Sequence, residues 1–167
     1  MSTQKLSRLA LLCALALIAH YIESFIPPLA AGVPVKAGLS NIFTLIALLR
    51  FTKRDAFLVT ILRCVIGPLL GGAPTGIMYS LTGGLFSWAV MGALMPLWQK
   101  EKVSPAGMSV AGSFAFNAAQ LSVGVLVIGA PVIAYFPIVS VLSIPTGIFV
   151  GFCAMFADKR IPKKNSA

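Results

Sequence analysis

The chain has 167 residues, of which 58% are hydrophobic and only 10% are charged, so its composition excludes an ordinary soluble domain and is typical of an integral membrane protein. The net charge of +9 does not indicate nucleic-acid binding, because the basic residues lie between long apolar segments rather than on one soluble face. The three cysteines, Cys13, Cys64 and Cys153, lie inside apolar runs, which favours packing over a disulfide framework or a metal site.

Six apolar segments predict an all-α integral membrane protein with six transmembrane helices in one domain, residues 1–167. They cover residues 9–26, 39–49, 56–70, 76–97, 106–129 and 132–157. The first segment follows a basic start but is long and lacks a clear cleavage site, so we interpret it as a retained helix. Within it, Ala10 and Ala14 are spaced for close helix packing, either inside the bundle or against another subunit.

The second apolar segment is too short to cross a membrane alone. Its eleven residues, 39–49, span about 16 Å of a hydrocarbon core about 30 Å thick. The preceding residues 27–38 contain Pro and Gly and must supply the remaining depth. Irregular backbone at that depth is tolerated only where protein buries it or a watery cavity receives it. The sequence therefore predicts a cavity that opens on the side of residues 27–38.

The basic residues alternate between the two sides of the predicted bundle. Eleven of the 13 lie before the first segment or after the second, fourth and sixth: Lys5, Arg8, Arg50, Lys53, Arg54, Lys100, Lys102, Lys159, Arg160, Lys163 and Lys164. The opposite connections contain only Lys36. By the positive-inside rule, both termini are predicted to be cytoplasmic.

Arg63 lies inside the third apolar segment, nine residues beyond Arg54 and therefore roughly 13 Å into the membrane. An arginine at that depth costs about 2.5–3.5 kcal/mol on insertion scales, so we expect it to face the protein interior and to have a partner. Glu23, near the outer end of the first segment, is the acidic residue on that side. A structural Glu23–Arg63 pair and direct contact of Arg63 with a ligand are both compatible with the sequence.

Further polar residues map to the same outer half of the predicted bundle. Asn117 and Gln120 share one helix face, and amides in that position either bond helices together or bind a ligand. Their convergence with residues from other segments favours a ligand pocket between helices. The predicted substrate-binding residues are Glu23, Lys36, Asn41, Arg63, Tyr79, Asn117 and Gln120.

The acidic residues argue against an enzyme. A site for magnesium and a diphosphate needs several oxygen ligands, whereas this chain has four acidic residues and no two are close in sequence. The sequence also has no Gly-x-x-x-x-Gly-Lys-[Ser/Thr] loop for ATP, so energy for transport would come from another protein or an ion gradient. We predict no catalytic residue, metal or cofactor.

Several short motifs, in order and spread over nearly the whole chain, resemble the Gx transporter family. They are Ala10-x-x-x-Ala14, Tyr21-Ile22-Glu23-Ser24-x-Ile26-Pro27, Val35-Lys36-x-Gly38-Leu39-x-Asn41-Ile42, Leu62-Arg63, Tyr79-Ser80-Leu81-x-Gly83-Gly84 and Asn117-x-x-Gln120. That family is often labelled heptaprenyl diphosphate synthase component I and is similar to the substrate-binding S components of energy-coupling factor (ECF) importers. Pro145 departs from the family pattern and is expected to kink the sixth helix.

The resemblance implies an S-component-like bundle in a bacterial plasma membrane. It also implies that Ala10 and Ala14 face a transmembrane coupling subunit served by two ATPase subunits, and that the pocket takes a small metabolite. Lys36 and Arg63, against the single Glu23, favour an anionic ligand, and the family label points to isoprenoid or quinone-related precursors. Two hypotheses follow: the substrate-binding subunit of an ECF-type importer, or a non-transporting accessory protein of prenyl diphosphate and menaquinone synthesis.

Overall fold

The computed structural model describes residues 3–26 and 38–160, and this part of the chain is entirely helical. Six α-helices and one short 3₁₀ helix follow in order: α1 (Thr3–Glu23), α2 (Asn41–Arg50), α3 (Lys53–Leu70), α4 (Gly76–Gln99), α5 (Pro105–Ile128), the 3₁₀ helix (Ala130–Tyr135) and α6 (Phe136–Arg160). No strand occurs in the described residues. The all-α prediction is confirmed.

Four helical segments are long and apolar enough to cross a membrane, which indicates a membrane protein. They are Thr3–Glu23, Gly76–Gln99, Pro105–Ile128 and Ala130–Asp158. The other two helices differ from these four. α2 has ten residues and spans about 15 Å. α3 has 18 residues but carries three charges in its first turn and Arg63 in its interior.

The last predicted segment is divided in the structure. Gly129 has φ 114°, a conformation that favours glycine, and it ends α5. Residues Ala130–Tyr135 then form the 3₁₀ helix, with a proline near its start, before α6 begins at Phe136. The α-helix therefore starts four residues later than the predicted segment. α6 is continuous through Pro145.

α2 lies at the centre of the bundle. It packs against each of the five other α-helices, and none of its ten residues is exposed. Leu45, Ile46, Ala47 and Leu48 are each at most 2% exposed and form the core together with residues from α1, α3, α4, α5 and α6. The helix that is too short to cross a membrane is therefore the most enclosed helix of the described structure.

Glycines allow neighbouring helices to approach closely. A Cβ atom added at Gly147 would lie 2.5 Å from the backbone Cα of Val110, and one at Gly151 would lie 2.5 Å from Cα of Ala106. Real Cβ atoms do not approach other atoms so closely. The Gly147-x-x-x-Gly151 pattern of α6 thus lies directly on the backbone of α5.

Two ion pairs tie helices together at the end of the bundle where α1 begins and α6 ends. Lys5 Nζ lies 2.7 Å from Asp55 Oδ2 and joins α1 to α3. Asp55 also forms a capping box with Thr52 at the start of α3. Arg50 pairs with Asp158 and joins the end of α2 to α6.

Candidate functional site

The start of α2 is the meeting point of charged side chains from α1 and α3. Glu23 is the last residue of α1 and is only 2% exposed. Its Oε1 accepts hydrogen bonds from the backbone N–H groups of Gly38 and Leu39, the latter at 3.3 Å. A carboxylate in this position stabilises the start of α2, because the dipole of that helix favours negative charge there.

Arg63 reaches the same place from α3 and is completely buried, as its position in the sequence predicted. Its Nη1 donates to Ser40 Oγ, and its Nη2 donates to Asn41 Oδ1 at 2.5 Å. Ser40 occupies the N-cap position of α2, yet its hydroxyl makes no capping hydrogen bond. The serine therefore serves as an acceptor for the guanidinium rather than as a helix cap.

Two hydrogen-bond donors in this cluster are not used within the described part of the chain. Arg63 Nε and Asn41 Nδ2 are both buried and have no partner there. Ser80 Oγ of α4 is also buried and has no hydrogen-bond partner in the described residues. Buried donors of this kind are costly unless a ligand or water accepts from them. The chemistry of a guanidinium and an amide N–H suits an acceptor that is anionic or strongly polar.

Adjacent glycines of α4 bring the cluster together. A Cβ atom at Gly84 would overlap with Cys64 Sγ and lie 3.5 Å from Arg63 Nη2, so the missing side chain allows α3 to pack closely. A Cβ atom at Gly83 would lie 2.9 Å from the Phe116 ring and 3.0 Å from Gln120 Cγ, on the side of α5. α4 therefore fits between the helix that carries Arg63 and the helix that carries Gln120.

Asn117 serves in part to bond two helices together. Its Nδ2 donates to Ser143 Oγ of α6 at 2.8 Å, and that hydroxyl donates onward to the Val139 carbonyl at 2.8 Å. Its Oδ1 is buried without a partner in the described residues. The amide nitrogen thus has the structural role that the sequence left open, and the amide oxygen remains available to a ligand.

The structure places the other predicted binding residues as follows. Gln120 is 1% exposed on the same face of α5 as the Gly83 contact. Tyr79 is buried in an apolar cluster with Leu121, Val123, Val132 and Val139. Lys36 lies outside the described residues, as does most of the segment 27–38 on which the predicted cavity opens.

The sequence prediction missed Ser40 and Ser143 as parts of the cluster. Each one is completely or almost completely buried and bonds a predicted site residue. A serine in an apolar segment gives little signal of its own, because it is small and can bond to its own helix backbone. For Ser40 the signal available was its position directly before Asn41 at the start of a helix.

Ala10 and Ala14 lie on the exposed surface of α1. Packing inside this chain, one of the two roles left open by the sequence, is therefore not their role. The buried face of α1 consists instead of Leu9, Leu12 and Ala16, followed by His20, whose ring lies against Gly67 of α3. The two alanines form a flat strip of α1 that another helix can approach.

Within the described residues, no three His, Cys, Asp or Glu side chains are placed to hold a metal ion. In the comparisons with known proteins, the model of the family described as heptaprenyl diphosphate synthase component I matches residues 12–157. No curated protein and no solved structure matches the chain.

Proposed function

The chain belongs to the heptaprenyl diphosphate synthase component I family, and from this membership and the buried cluster at the start of α2 we propose that it is the substrate-binding membrane subunit of an ECF-type importer. Its substrate is a small anionic metabolite such as an isoprenoid, quinone or vitamin precursor. Glu23, Lys36, Asn41, Arg63, Asn117 and Gln120 are the proposed binding residues. Tyr79, which packs in an apolar cluster, is proposed as an apolar lining residue of the pocket.

The observation that carries this proposal is that Arg63 is buried with one of its hydrogen-bond donors unused in the described residues. It is fully buried, and Nε, one of its three nitrogens, is without a partner in the described chain. A purely structural arginine at this depth would be expected to use all its donors. An anionic ligand at the start of α2 would accept from Arg63 Nε and Asn41 Nδ2 and would also interact favourably with the α2 dipole.

The proposed ligand has an apolar part as well as an anionic one. A groove of about 820 Å³ lies between α4, α5 and α6, and its lining is apolar apart from Ser140 and Ser143. Ser143 accepts the hydrogen bond from Asn117, so the lining of the groove reaches one of the proposed binding residues. This arrangement supports an isoprenoid or similar chain more than a fully polar metabolite.

The proposal includes a single domain that crosses the membrane six times, with both termini in the cytoplasm. α3 is about 27 Å long, close to the thickness of the hydrocarbon core. In this proposal α2 does not cross alone, because its ten residues span only about 15 Å. The Lys5–Asp55 and Arg50–Asp158 pairs would then both lie on the cytoplasmic side, where charged side chains are least costly.

The partners in this proposal are a transmembrane coupling subunit and two ATPase subunits, and the exposed strip at Ala10 and Ala14 is the contact. We expect an Ala10→Trp/Ala14→Trp variant to lose co-purification with these subunits, because bulky side chains prevent close helix approach. A matched control is Ile148→Trp/Phe152→Trp, which adds indoles with the same spacing to the exposed face of α6.

The importer proposal fails if the α1 variant and the α6 control retain the coupling subunit and ATPases equally. Helix content from circular dichroism and a single peak in size-exclusion chromatography establish that both variants are folded. Loss of the complex in the α6 control alone would move the interface to the other side of the bundle.

The family description favours a second candidate, an accessory membrane protein in prenyl diphosphate or menaquinone synthesis. A component of a synthase works with at least one other component. Three of the four carboxylates already have structural partners: Glu23 the backbone at residues 38 and 39, Asp55 Lys5, and Asp158 Arg50. This supports a role without a diphosphate-metal site of its own.

Affinity purification from the native membrane separates the two candidates. The importer predicts ATPase subunits in the purified complex, whereas the accessory role predicts a soluble prenyl-transferring subunit without them. Mass spectrometry of small molecules extracted from the same sample identifies the ligand class. An anionic molecule that is present in the wild type and absent from an Arg63 variant would support the proposed site.

A further inference from the structure

A second site lies on the lateral wall of the bundle, where α3 begins beside α4. A cavity of about 500 Å³ is lined by Lys53, Arg54, Phe57, Leu58 and Trp88. None of these residues belongs to the cluster at the start of α2. Two cations and two aromatic rings thus share one recess.

The aromatic floor of this recess is fixed by the fold. Trp88 Nε1 donates to the Lys53 carbonyl at 3.1 Å, and the rings of Phe57 and Trp88 meet edge to face at 4.9 Å between centroids. Leu58 is 54% exposed beside them. This surface can cover the upper part of an acyl chain.

The cations above this floor are exposed and make no ion pair among the described residues. Two other basic residues at this end of the bundle, Arg50 and Lys5, are each paired with an aspartate. Asp55, the carboxylate nearest to Lys53 and Arg54 in sequence, is buried and bonds Lys5 and Thr52. The recess therefore keeps two positive charges that form no ion pair with a carboxylate of the described residues.

The recess lies on the side of the bundle rather than at its end. α4 continues for eleven residues beyond Trp88 to Gln99, roughly 16 Å. The side of α4 therefore extends well beyond the hydrogen bond between Trp88 and the Lys53 carbonyl. A site on the side wall of a membrane bundle faces lipid rather than bulk solvent. Exposed cations at that level are stabilised by reaching a phosphate in the headgroup layer.

From the geometry, charge and position of this recess, we propose that Lys53 and Arg54 bind the phosphate of an anionic phospholipid whose acyl chain lies on Phe57, Leu58 and Trp88. The arginine provides a planar fork for two phosphate oxygens and the lysine a point charge. The lipid would occupy the junction of α3 and α4, so it would contact the helix that carries Arg63.

Trp88 provides a direct probe, because the chain has only two tryptophans and Trp98→Phe leaves Trp88 as the single one. The Trp98→Phe protein is reconstituted in phosphatidylcholine vesicles that contain a small fraction of either phosphatidylglycerol or phosphatidylcholine with brominated acyl chains. Bromine quenches indole fluorescence only in close contact. We expect brominated phosphatidylglycerol to be enriched at Trp88 roughly thirtyfold, the factor for two cations facing an anionic lipid.

Two variants test whether the cations cause this enrichment. Lys53→Gln/Arg54→Gln should reduce it to about onefold, because both charges are removed. Lys100→Gln/Lys102→Gln removes the same charge from an exposed turn elsewhere and should leave it unchanged. The exchange Lys53→Arg/Arg54→Lys keeps both charges and should retain most of the enrichment. It also tests whether charge selects the lipid if the Lys53→Gln/Arg54→Gln variant does not reconstitute.

Three outcomes would overturn the proposal. Equal enrichment in the Lys53→Gln/Arg54→Gln variant would show that the cations do not select the lipid. Displacement of phosphatidylglycerol by millimolar inorganic phosphate would assign the recess to a small soluble anion. Absence of quenching by both brominated lipids would show that protein, rather than lipid, covers Trp88.

Discussion

The two ends of α2 are both held by ionic side chains from other helices, but their surroundings differ. At its start, Arg63 and Glu23 are 0% and 2% exposed and bond to residues 38–41. At its end, Arg50 pairs with Asp158, whose side chain is 26% exposed. Burial strengthens each hydrogen bond but also increases the cost of losing a partner. The start of α2 is therefore the end at which a substitution should matter most.

Arg63→Met is expected to have the largest effect. It leaves the buried acceptors on Ser40 and Asn41 without their donor, and breaking a buried ionic cluster by removing one member costs about 3–5 kcal/mol. The free energy of unfolding in detergent, measured by chemical denaturation and circular dichroism, should fall by that amount. A loss no larger than that caused by an exposed substitution would mean that the buried end of α2 is not the sensitive one.

The double variant Glu23→Leu/Arg63→Met separates stability from binding. Replacing buried charges together by apolar groups is often tolerated, so this protein should be folded and more stable than Arg63→Met alone. We expect it to retain no ligand when extracted small molecules are measured by mass spectrometry. Normal ligand retention would reduce Arg63 to scaffolding and remove the main support for an anionic substrate.

Gly84→Ala tests the packing that brings Arg63 to the site. Its new methyl group would overlap with Cys64 Sγ, which is completely buried, so we expect a loss of about 1–3 kcal/mol in the free energy of unfolding. Gly92→Ala in the same helix is the matched control. A Cβ there would meet no atom within 4 Å, and the higher helix propensity of alanine should stabilise by about 0.5–1 kcal/mol. We therefore expect the free energy of unfolding to fall in Gly84→Ala and to rise in Gly92→Ala.

Arg63→Lys tests whether the ligand contacts the guanidinium at the buried end of α2. Lysine keeps the charge but has one nitrogen, so it cannot serve Ser40, Asn41 and a ligand in the way that a guanidinium can. Once the ligand is identified, calorimetric titration should show binding weakened by roughly 1–3 kcal/mol. Unchanged affinity would indicate that the ligand does not contact the guanidinium.

Asp158→Asn, at the other end of α2, is expected to have the smallest effect. The pair is less buried than the cluster at the start of α2, with side chains 9% and 26% exposed, and Arg50 Nη2 also donates to the backbone carbonyl of Asp158, which the substitution keeps. The loss in unfolding free energy should be at most about 1 kcal/mol. It should shrink further between about 0.1 M and 1 M salt, as screening increases. A loss as large as that of Arg63→Met would remove the difference between the two ends.

The sequence predicted the features that depend on chain-local physics. Long apolar runs predicted α1, α4, α5 and α6, and an arginine inside such a run predicted the burial of Arg63. The short second segment predicted a helix too short to cross a membrane alone, and α2 has ten residues. These inferences need only helix geometry and the cost of placing charge in lipid.

Other features depend on packing that no local pattern contains. Ser40 and Ser143 became visible only when the structure showed their partners. Tyr79 was predicted with the polar residues, but its face of α4 meets apolar side chains of α5 and the residues beyond it. The 3₁₀ helix was hidden because its composition, APVIAY, matches that of a membrane span. Whether a Glu23–Arg63 pair exists in addition to their shared contacts with residues 38–41 stays a prediction.

The central position of α2 has a consequence for the way the protein is made. α2 is synthesised early, yet most of its neighbours lie later in the chain, and the last of them, α6, ends at Arg160. At about 5–20 residues per second, the ribosome needs roughly 5–20 s to make the intervening 110 residues. During that interval the burial site of α2 is incomplete, because only α1 and α3 lie close to it in sequence. An element of about 15 Å that carries Asn41 at one end and Arg50 at the other is therefore only partly surrounded by its final neighbours until α6 is translated.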